Sequence, residues 1–253
     1  MKLEPYQYAI LFNGVEVARY NDVENICENK EKAKVIRTHL YEIAYQNRTK
    51  ILNQCWVNTL VDKVRLTNPD VVSDVFFKKE FQTSRLKIVL NQLLAEDVSI
   101  RDMNTILETI ADYIDGGPAP YQLVEHIRKR LAFGILSKYA DKDKNIHAIN
   151  VSENVAELLL MHLCIPANIN DMPYPALAKE DREKLVKKID KAVANLSQEQ
   201  WPPIFIIQTD ARFAFASFLE KDFPYYRVIS IDEAYETIKE FSVKAEGELD
   251  WNE

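Results

Sequence analysis

The sequence LKIVLNQLLAEDVSIRDMNTILETIAD, residues 86–112, contains two amphipathic helical patterns joined by a short polar segment. Apolar residues recur at helical spacing on both sides of the joint: Leu86, Val89, Leu90, Leu93 and Leu94 before it, and Ile106, Leu107, Ile110 and Ile114 after it. Each pattern predicts a helix that hides one face from water. The stretch therefore predicts a helical hairpin, with the joint at residues 96–100.

The joint carries a pattern that is typical of a helix N-terminus. Ser99 lies three residues before Asp102, the spacing at which a hydroxyl caps a helix and an acid returns the hydrogen bond. We expect Ser99 to be the cap and Arg101 to lie in the first turn, where a cation opposes the helix dipole. Arg101 should then have an acidic partner: Glu96, Asp97 or a residue of a neighbouring chain. By spacing alone, the simplest interpretation is an ordinary capped hairpin.

The composition is that of a globular protein with a sizeable core. The chain has 253 residues, of which 47% are hydrophobic and 28% are charged, and this suits one large domain or several small ones. No run approaches the roughly 20 apolar residues that a membrane span requires, and the N-terminus lacks the features of a secretory signal. We therefore expect a cytosolic polypeptide.

Charge and cysteine content argue against further classes of protein. The net charge of −7 argues against a nucleic-acid partner, which would require a basic surface. Most of the imbalance lies in residues 232–253, which carry eight acids against Lys239 and Lys244, and no pattern explains this acidic end. The three cysteines are scattered and predict reduced thiols, with Cys55 buried as a small hydrophobe.

The N-terminal part, residues 1–51, predicts a small α/β subdomain. Residues 6–12 and 15–18 read as strands on either side of an Asn-Gly pair at residues 13–14, the strongest short-range signal for a hairpin. The polar segment that follows predicts a loop with a helical turn. A helix is then expected to begin at Thr38, with the threonine as its N-cap.

The remainder of the chain divides into a helical and a mixed part. Residues 52–138 predict an all-helical subdomain, in which Glu125 is placed to pair with Lys129 one turn later. In residues 139–253 strand and helix patterns alternate, and the apolar run PIFIIQ at residues 203–208 is typical of a buried strand. We predict an α+β fold with a small N-terminal α/β part, a central all-helical subdomain and a C-terminal α/β subdomain.

The sequence contains no pattern of catalytic, cofactor-binding or metal-binding residues. It has only 5 glycines, with neither a GxGxxG nor a GxxxxGK[ST] phosphate loop, and no GxSxG elbow. Its histidines are isolated from one another rather than paired as HxxxH or HExxH. Acids such as Glu96 and Asp97 lie at helix ends, where acids are common. We therefore predict a protein without catalytic activity, cofactor or metal.

The joint and its surroundings resemble the FHIPEP family, the export-gate proteins of flagellar and virulence type III secretion. LNQLLAEDVSIRDMNTILETIADY is similar to the family signature, in which a leucine-rich helix and an acid precede V-x-I-R-D and T-I-L-E. Three further blocks keep the family order: THLYEI at residues 38–43, LVEHIRKRLAFGI at 123–135 and PPIFIIQTDARFAFASFLEKDFPYYRVISIDE at 202–233. Together the four blocks cover most of residues 36–233.

The resemblance implies a domain at the cytoplasmic face of the bacterial inner membrane, connected to a membrane-spanning part that this chain does not contain. It implies a homo-oligomeric ring, nonameric in the family, that docks export chaperones, secreted substrates and other export-apparatus proteins. Arg101 and Asp102 are then expected at the oligomer interface. Thr38 is expected in the chaperone and substrate docking site.

The chain departs from the family pattern before the THL block. The usual insertion with a D-P-A-F-G-L-P motif, which forms a further subdomain in the family, is replaced by residues 21–37, so the docking partners of Thr38 on that insertion are missing. The acidic end also departs from the family pattern. Two alternatives stay open: a stand-alone cytosolic regulator or assembly factor derived from an export gate, and an α/β enzyme with perturbed acids in a pocket.

Overall fold

The computed structural model combines helices with a parallel sheet, and the predicted α+β class is confirmed. A two-stranded hairpin comes first, a run of helices follows, and a four-stranded sheet with its own helices forms the C-terminal part. The subdomain boundaries predicted after residues 51 and 138 stay predictions. The structure describes residues 3, 7–12, 14–21, 29–194, 196 and 202–252, with the backbone alone at 29–32.

The predicted N-terminal hairpin is confirmed. Strand β1 (Tyr8–Phe12) pairs antiparallel with β2 (Val15–Tyr20), and Gly14 between them has a φ of +81°, which glycine adopts without strain. The asparagine of the predicted turn lies outside the described residues. His39 of the following helix stacks on Tyr20 with ring centroids 3.9 Å apart, and this contact packs the helix against the hairpin.

The first helix begins earlier than the sequence predicts. Helix α1 (Asn29–Gln46) contains Thr38 in its interior, where the threonine Oγ1 donates a hydrogen bond to the carbonyl oxygen of Lys34 at 3.0 Å. The prediction that Thr38 caps this helix is therefore wrong. It failed because the lysines and glutamates before Thr38 lack an apolar pattern but are good helix formers.

The chain from residue 48 to residue 136 is predominantly helical. Its α-helices are α2 (Arg48–Ile51), α3 (Gln54–Thr67), α4 (Pro69–Ser73), α5 (Thr83–Ala95), α6 (Met103–Tyr113), α7 (Pro120–Arg130) and α8 (Ala132–Leu136). A π-helical turn, Asp74–Lys78, extends α4, and a 3₁₀ turn, Ile114–Gly116, extends α6. Gly117 then takes a φ of +63° and ends the helix.

The apolar stripes of these helices form a common core. Leu90 of α5 and Leu107 of α6 are completely buried, as the spacing around the joint predicts. On α3 the buried residues are Val57, Val61 and Val64. Cys55 lies on the exposed side of α3, so the prediction that it is buried is wrong. The cysteine is two positions from Val57, about 200° around the helix, which turns it away from the core.

The C-terminal part is built on a parallel sheet. Its strands are β3 (Asn145–Val151), β6 (Ile204–Ile207), β7 (Arg227–Ser230) and β8 (Ser242–Leu249), arranged in the order β7-β6-β3-β8. Two short strands, β4 (Leu163–Cys164) and β5 (Tyr174–Pro175), pair separately. The helices of this part are α9 (Glu153–Met161), α10 (Lys179–Val193), α11 (Arg212–Asp222) and α12 (Ile231–Glu236), with a 3₁₀ turn at Thr209–Ala211.

The sheet is covered on both faces. On β6, Phe205 and Ile207 pack with α9, α10 and α11, whereas Ile204 and Ile206 pack into the core that α5 and α6 form. Burial on both sides explains why PIFIIQ shows no alternation of apolar and polar residues. The helical core is therefore continuous with one face of the sheet.

The acidic end forms the edge strand β8, which the sequence patterns do not predict. β8 pairs in parallel with β3 from Ser242 to Leu249. Leu249 is buried, but the other side chains of the strand are exposed or half-buried, so β8 lacks an apolar pattern. Charged side chains are typical of edge strands, where they oppose pairing with a second sheet.

His147 connects β3 and β8 through two carboxylates. Its Nδ1 contacts Oε1 of Glu246, and its Nε2 lies 3.0 Å from Oδ2 of Asp141. Hydrogen bonds with Glu246 and Asp141 raise the pKa of His147. The backbone amide of Asn145 and the His147 ring in turn lower the pKa of Asp141 to about 2. The contact is therefore an ion pair when His147 is protonated.

We expect His147→Gln to make the stability of the protein less dependent on pH. Folding raises the pKa of His147 above its ordinary value of 6.5, so protonated His147 stabilises the folded state fully when the pH is below 6.5. This stabilisation is lost as the pH rises through the raised pKa of the folded state. Urea unfolding should show that the substitution destabilises the protein most at about pH 5.5 and that this effect shrinks as the pH rises above about 6.5. The matched control is His162→Gln, because Nδ1 of His162 contacts the Leu158 carbonyl oxygen, a neutral group, whereas His147 contacts two carboxylates. The same pH dependence in both variants would contradict the assignment to His147.

Candidate functional site

The joint between α5 and α6 is capped differently from the prediction. Asp102 is the N-cap of α6: its Oδ1 accepts a hydrogen bond from the Thr105 amide at 3.1 Å, and its Oδ2 accepts one from the Thr105 hydroxyl at 2.8 Å. Ser99 Oγ accepts from the Arg101 amide at 3.4 Å, before the helix begins. The predicted Ser99 cap is therefore wrong. Serine and aspartate are both common N-cap residues, and α6 begins directly after Asp102 rather than after Ser99.

Arg101 lies outside the helix, one residue before its cap. Its side chain is exposed, and in the described residues it has no ion pair. The two partners expected for it within the chain are engaged elsewhere, because Glu96 turns inward and Asp97 lies 3.6 Å from the Lys138 ammonium group. Asp102 is exposed beside it. The joint therefore presents at the surface a guanidinium group that pairs with no carboxylate of the described residues.

The backbone of the joint is held by contacts with the core. Val98 is buried, and its amide donates to the Leu93 carbonyl at 2.9 Å. Asp97 adopts a φ of +61°, a left-handed conformation that reverses the chain after α5, and its amide donates to the Leu94 carbonyl at 3.1 Å. These contacts hold in place the backbone segment that leads to Arg101.

A buried arginine anchors the first residue of the joint. Arg212 is completely buried at the start of α11. Its Nη2 lies 3.1 Å from Oε1 of Glu96, its Nε lies 2.6 Å from Oε2 of Glu125, and each carboxylate also contacts a second nitrogen of the guanidinium group. Such bidentate pairs fix the relative orientation of both partners.

Arg128 extends this network to the sheet. Its Nη1 lies 3.1 Å from Oε2 of Glu96, its Nε lies 2.8 Å from Oε1 of Glu233, and its Nη2 donates to the Val228 carbonyl at 3.0 Å. Glu233 also completes a capping box with Ser230 at the start of α12. The network therefore connects α5 and α7 with α11, α12 and β7.

Burial and the neighbouring guanidinium groups act in opposite directions on the pKa values of Glu96 and Glu125. Burial alone would raise the pKa of Glu96, but the charges of Arg212 and Arg128 outweigh it and lower that pKa. For Glu125 burial outweighs the charge of Arg212, so its pKa is raised. The two carboxylates raise the pKa of Arg212 well above its ordinary value against the effect of burial. Glu125 is therefore the more readily protonated of the two.

The network was missed at the sequence level. Glu96 has the position of an ordinary acid at a helix end, and Glu125 was predicted to pair with Lys129. That prediction is wrong, because Lys129 lies 3.0 Å from Asp232 and Glu125 turns toward Arg212. A usable signal was present in ARFAFASFL, where one arginine stands in an otherwise apolar helix and must have a partner if it is buried.

Thr38, the predicted docking residue, is exposed on α1. The apolar side chains near it in the sequence are also exposed: Ile36 by 39%, Leu40 by 49% and Tyr41 by 70%. Among the described residues, no hydrogen bond or ion pair joins Thr38 to Arg101 or Asp102. The structure therefore shows two unlinked candidate surfaces, one apolar and one charged.

Other kinds of site find no counterpart in the part of the chain that the structure describes. No group of three or more His, Cys, Asp or Glu residues is placed there to hold a metal ion. No helix within the described ranges has the length and apolar character needed to cross a membrane.

Comparison with known proteins assigns the chain to a family. The profile of the FHIPEP family matches residues 16–239, which include the joint and all five residues of the ion network. The chain belongs to the FHIPEP family. The resemblance seen in the V-S-I-R-D joint is thereby confirmed.

Relatives in the FHIPEP family are longer than this chain. The flagellar biosynthesis protein FlhA of Treponema pallidum is 26% identical over 212 residues, which are 81% of this chain and 29% of that protein. The chain thus spans less than a third of this relative. Among solved structures, the Chlamydia pneumoniae CdsV protein is similar with a TM-score of 0.81 and 20% identity, over 98% of this chain and 82% of that chain.

A second solved structure has the same fold. The nonameric EscV cytosolic domain from the type III secretion system is similar with a TM-score of 0.70 and 19% identity, over 85% of this chain and 61% of that chain. At these identities the similarity to CdsV and EscV demonstrates a shared fold.

We expect Arg212→Met to lower the free energy of unfolding by about 3–5 kcal/mol, because Glu96 and Glu125 would stay buried without their cation. Chemical unfolding followed by circular dichroism measures the effect. The control is Arg65→Met, which breaks an exposed pair with Asp62 at 2.7 Å and should cost less than about 1 kcal/mol. Similar small effects in both variants would mean that the network contributes no more than a surface pair.

Proposed function

We propose that the chain is the cytoplasmic domain of a type III secretion export gate, which assembles into a homo-oligomeric ring and docks chaperone and substrate complexes without catalysis. Its location would be the cytoplasmic face of the bacterial inner membrane. The observation that carries the proposal is the exposed Arg101, which has no ion pair within the described part of the chain, on a joint that buried contacts hold in place. Membership of the FHIPEP family supports it.

The joint has the properties of an interface between copies. A fixed loop loses little conformational entropy when it binds, so its contacts contribute more fully to affinity. Arg101 can pair bidentately with a carboxylate of a neighbouring copy, and arginine is common among the residues that dominate interfaces. The nonameric state of the EscV domain supports a ring of copies as the form of assembly.

The exposed apolar surface of α1 provides a second contact for partners. Tyr41, 70% exposed, lies three positions after Thr38 on the same face of α1, whereas Ile36 and Leu40 are two positions from Thr38 and project from the other side of the helix. Exposed apolar patches commonly bind other proteins. We assign the docking of export chaperones and secreted substrates to the face of α1 that carries Thr38 and Tyr41. The Thr38 hydroxyl donates its hydrogen bond within α1, so we expect Thr38 to contribute to docking through the shape of its side chain.

We expect Arg101→Ala to weaken assembly without weakening the fold. The arginine is exposed and has no ion pair in the described residues, so its loss should change the free energy of unfolding by less than about 0.5 kcal/mol. Loss of an interface arginine should raise the concentration needed for half-maximal assembly about tenfold, as measured by sedimentation velocity. Arg65→Ala, a second exposed arginine, should leave assembly unchanged.

Two results would count against the proposed ring. One is a wild-type chain that stays monomeric at every concentration tested. The other is an Arg101→Ala variant that loses folded protein and assembly in equal measure, since Arg101 would then act on the fold.

The docking assignment is tested with Thr38→Arg and Thr38→Val. A long charged side chain beside the exposed Tyr41 ring should weaken binding of a purified export chaperone–substrate complex at least about tenfold in surface plasmon resonance. Valine keeps the shape of threonine and removes only a hydroxyl that bonds inside the helix, so Thr38→Val should bind as the wild type does. Undiminished binding by Thr38→Arg would place docking elsewhere.

A further inference from the structure

A cavity of about 510 Å³ lies where the N-terminal, helical and C-terminal parts of the chain meet. Its walls come from α2, α5, α11 and β7, with Tyr139 and Met172 closing two sides. The volume falls in the range of small-molecule and short-peptide sites in proteins. Neither the joint residue Arg101 nor the docking residue Thr38 contributes to it.

Two amide groups in the wall have buried oxygens without partners. Asn91 Oδ1 and Gln92 Oε1, on consecutive residues of α5, are shielded from solvent and accept no hydrogen bond from any described residue. An unsatisfied buried acceptor costs free energy, and a bound N–H donor would remove that cost. Neither oxygen is accessible from the cavity in this conformation, so one of the two amides must turn about its last side-chain torsion to accept an N–H donor from an occupant.

Arg227 places a cation at the same cavity. It is only 9% exposed; its Nη1 donates to the Pro224 and Tyr226 carbonyls at 3.1 and 3.0 Å, and its Nη2 donates to the Tyr45 hydroxyl at 2.8 Å. Its Nε has no partner, and no carboxylate lies within ion-pair distance of Arg227 in the described ranges. All the groups it contacts are neutral, so its charge lacks a counter-ion in contact.

The charges in and directly behind the cavity wall leave an excess of one cation. Four buried or half-buried guanidinium groups stand against three buried or half-buried carboxylates: Arg48, Arg128, Arg212 and Arg227 against Glu96, Glu125 and Glu233. Glu220 also borders the cavity, but it is exposed and screened by water. A single negative charge on an occupant would balance the site.

Apolar side chains form another part of the wall. Ile88, Leu219, Phe223 and Val228 line it, together with Met172, a side chain that adapts to irregular shapes. An occupant therefore needs an apolar body in addition to one negative charge and N–H donors.

We propose that this cavity binds an N-acylated apolar amino acid through its carboxylate, as found at the C-terminus of an apolar peptide. The carboxylate pairs with Arg227, the amide N–H donates to Asn91 or Gln92, and the apolar side chain packs on Leu219 and Phe223. The same chemistry occurs in a polypeptide terminus and in a free N-acyl amino acid. The proposal stands on the cavity alone and does not depend on assembly or export.

Isothermal titration calorimetry on the purified chain tests the proposal with three probes. They are N-acetyl-Leu-Leu-Phe with a free carboxylate, the same peptide as its C-terminal amide, and N-acetylphenylalanine. We expect the free acid to bind at least about tenfold more tightly than the amide, because the amide cannot form the charged pair. Tighter binding of the tripeptide acid than of N-acetylphenylalanine assigns the site to a chain terminus, and equal binding assigns it to a free N-acyl amino acid.

Three variants connect binding to the cavity. Arg227→Gln should abolish the preference for the acid over the amide, and Ser217→Phe should fill the cavity and abolish binding of all probes. Arg65→Gln, a distant exposed arginine, should bind as the wild type does. If circular dichroism shows that Arg227→Gln is unfolded, the double variant Asn91→Leu/Gln92→Leu decides instead, with an expected loss of at least about tenfold for acid and amide alike.

Two results would overturn the proposal. The first is a folded wild-type chain that binds neither acid at millimolar concentration. The second is unchanged binding by a folded Arg227→Gln variant and by Ser217→Phe, since the probes would then bind outside the cavity. Because no step requires a ring, a chain that assembles but fails these tests refutes the cavity site alone.

Discussion

The burial of Arg212 between two carboxylates constrains much of the structure. A guanidinium group without exposed surface has lost its hydration, so anions must meet it in a fixed hydrogen-bonding geometry. Glu96 is supplied by the end of α5 and Glu125 by α7, while Arg212 opens α11. One side chain therefore determines how three helices from two parts of the chain meet. Displacing any of them by more than a hydrogen-bond length would leave a buried charge unpaired.

The contribution of this network is more geometric than energetic. Apolar side chains of similar size often replace a buried ion pair at little cost in stability, and continuous apolar packing already joins the helices to one face of the sheet. Apolar contacts do not fix the relative orientation of two groups, however, whereas bidentate ion pairs do. Because Glu96 is the first residue after α5, its two arginine partners fix where the joint starts, and Asp97 then reverses the chain. An arginine buried at position 212 thus helps to orient the arginine exposed at position 101.

Features that depend on neighbours along the chain could be predicted from the sequence. The stripes of α5 and α6, the strand β6 and the N-terminal hairpin are of this kind. Choices that depend on distant parts of the fold could not be predicted: Ser99 and Asp102 suit the same cap rule, and β8 is held through its backbone and the contacts of His147 rather than by an apolar face. Arg212 is an intermediate case. Its apolar surroundings indicate a buried partner, but nothing local identifies Glu96, which lies 116 residues away.

Glu96 connects the candidate interface with the proposed ligand cavity. It begins the joint, pairs with Arg128 and Arg212, and forms part of the cavity wall, which Arg128 also lines. An anion bound at Arg227 would lie in the field of the same charges, since Arg227 already lowers the pKa of Glu96. Any bound carboxylate that also reached Arg128 would compete with Glu96 for one guanidinium group and loosen the first residue of the joint. By thermodynamic reciprocity, an assembly contact that holds the joint in place would then disfavour that mode of binding in the cavity.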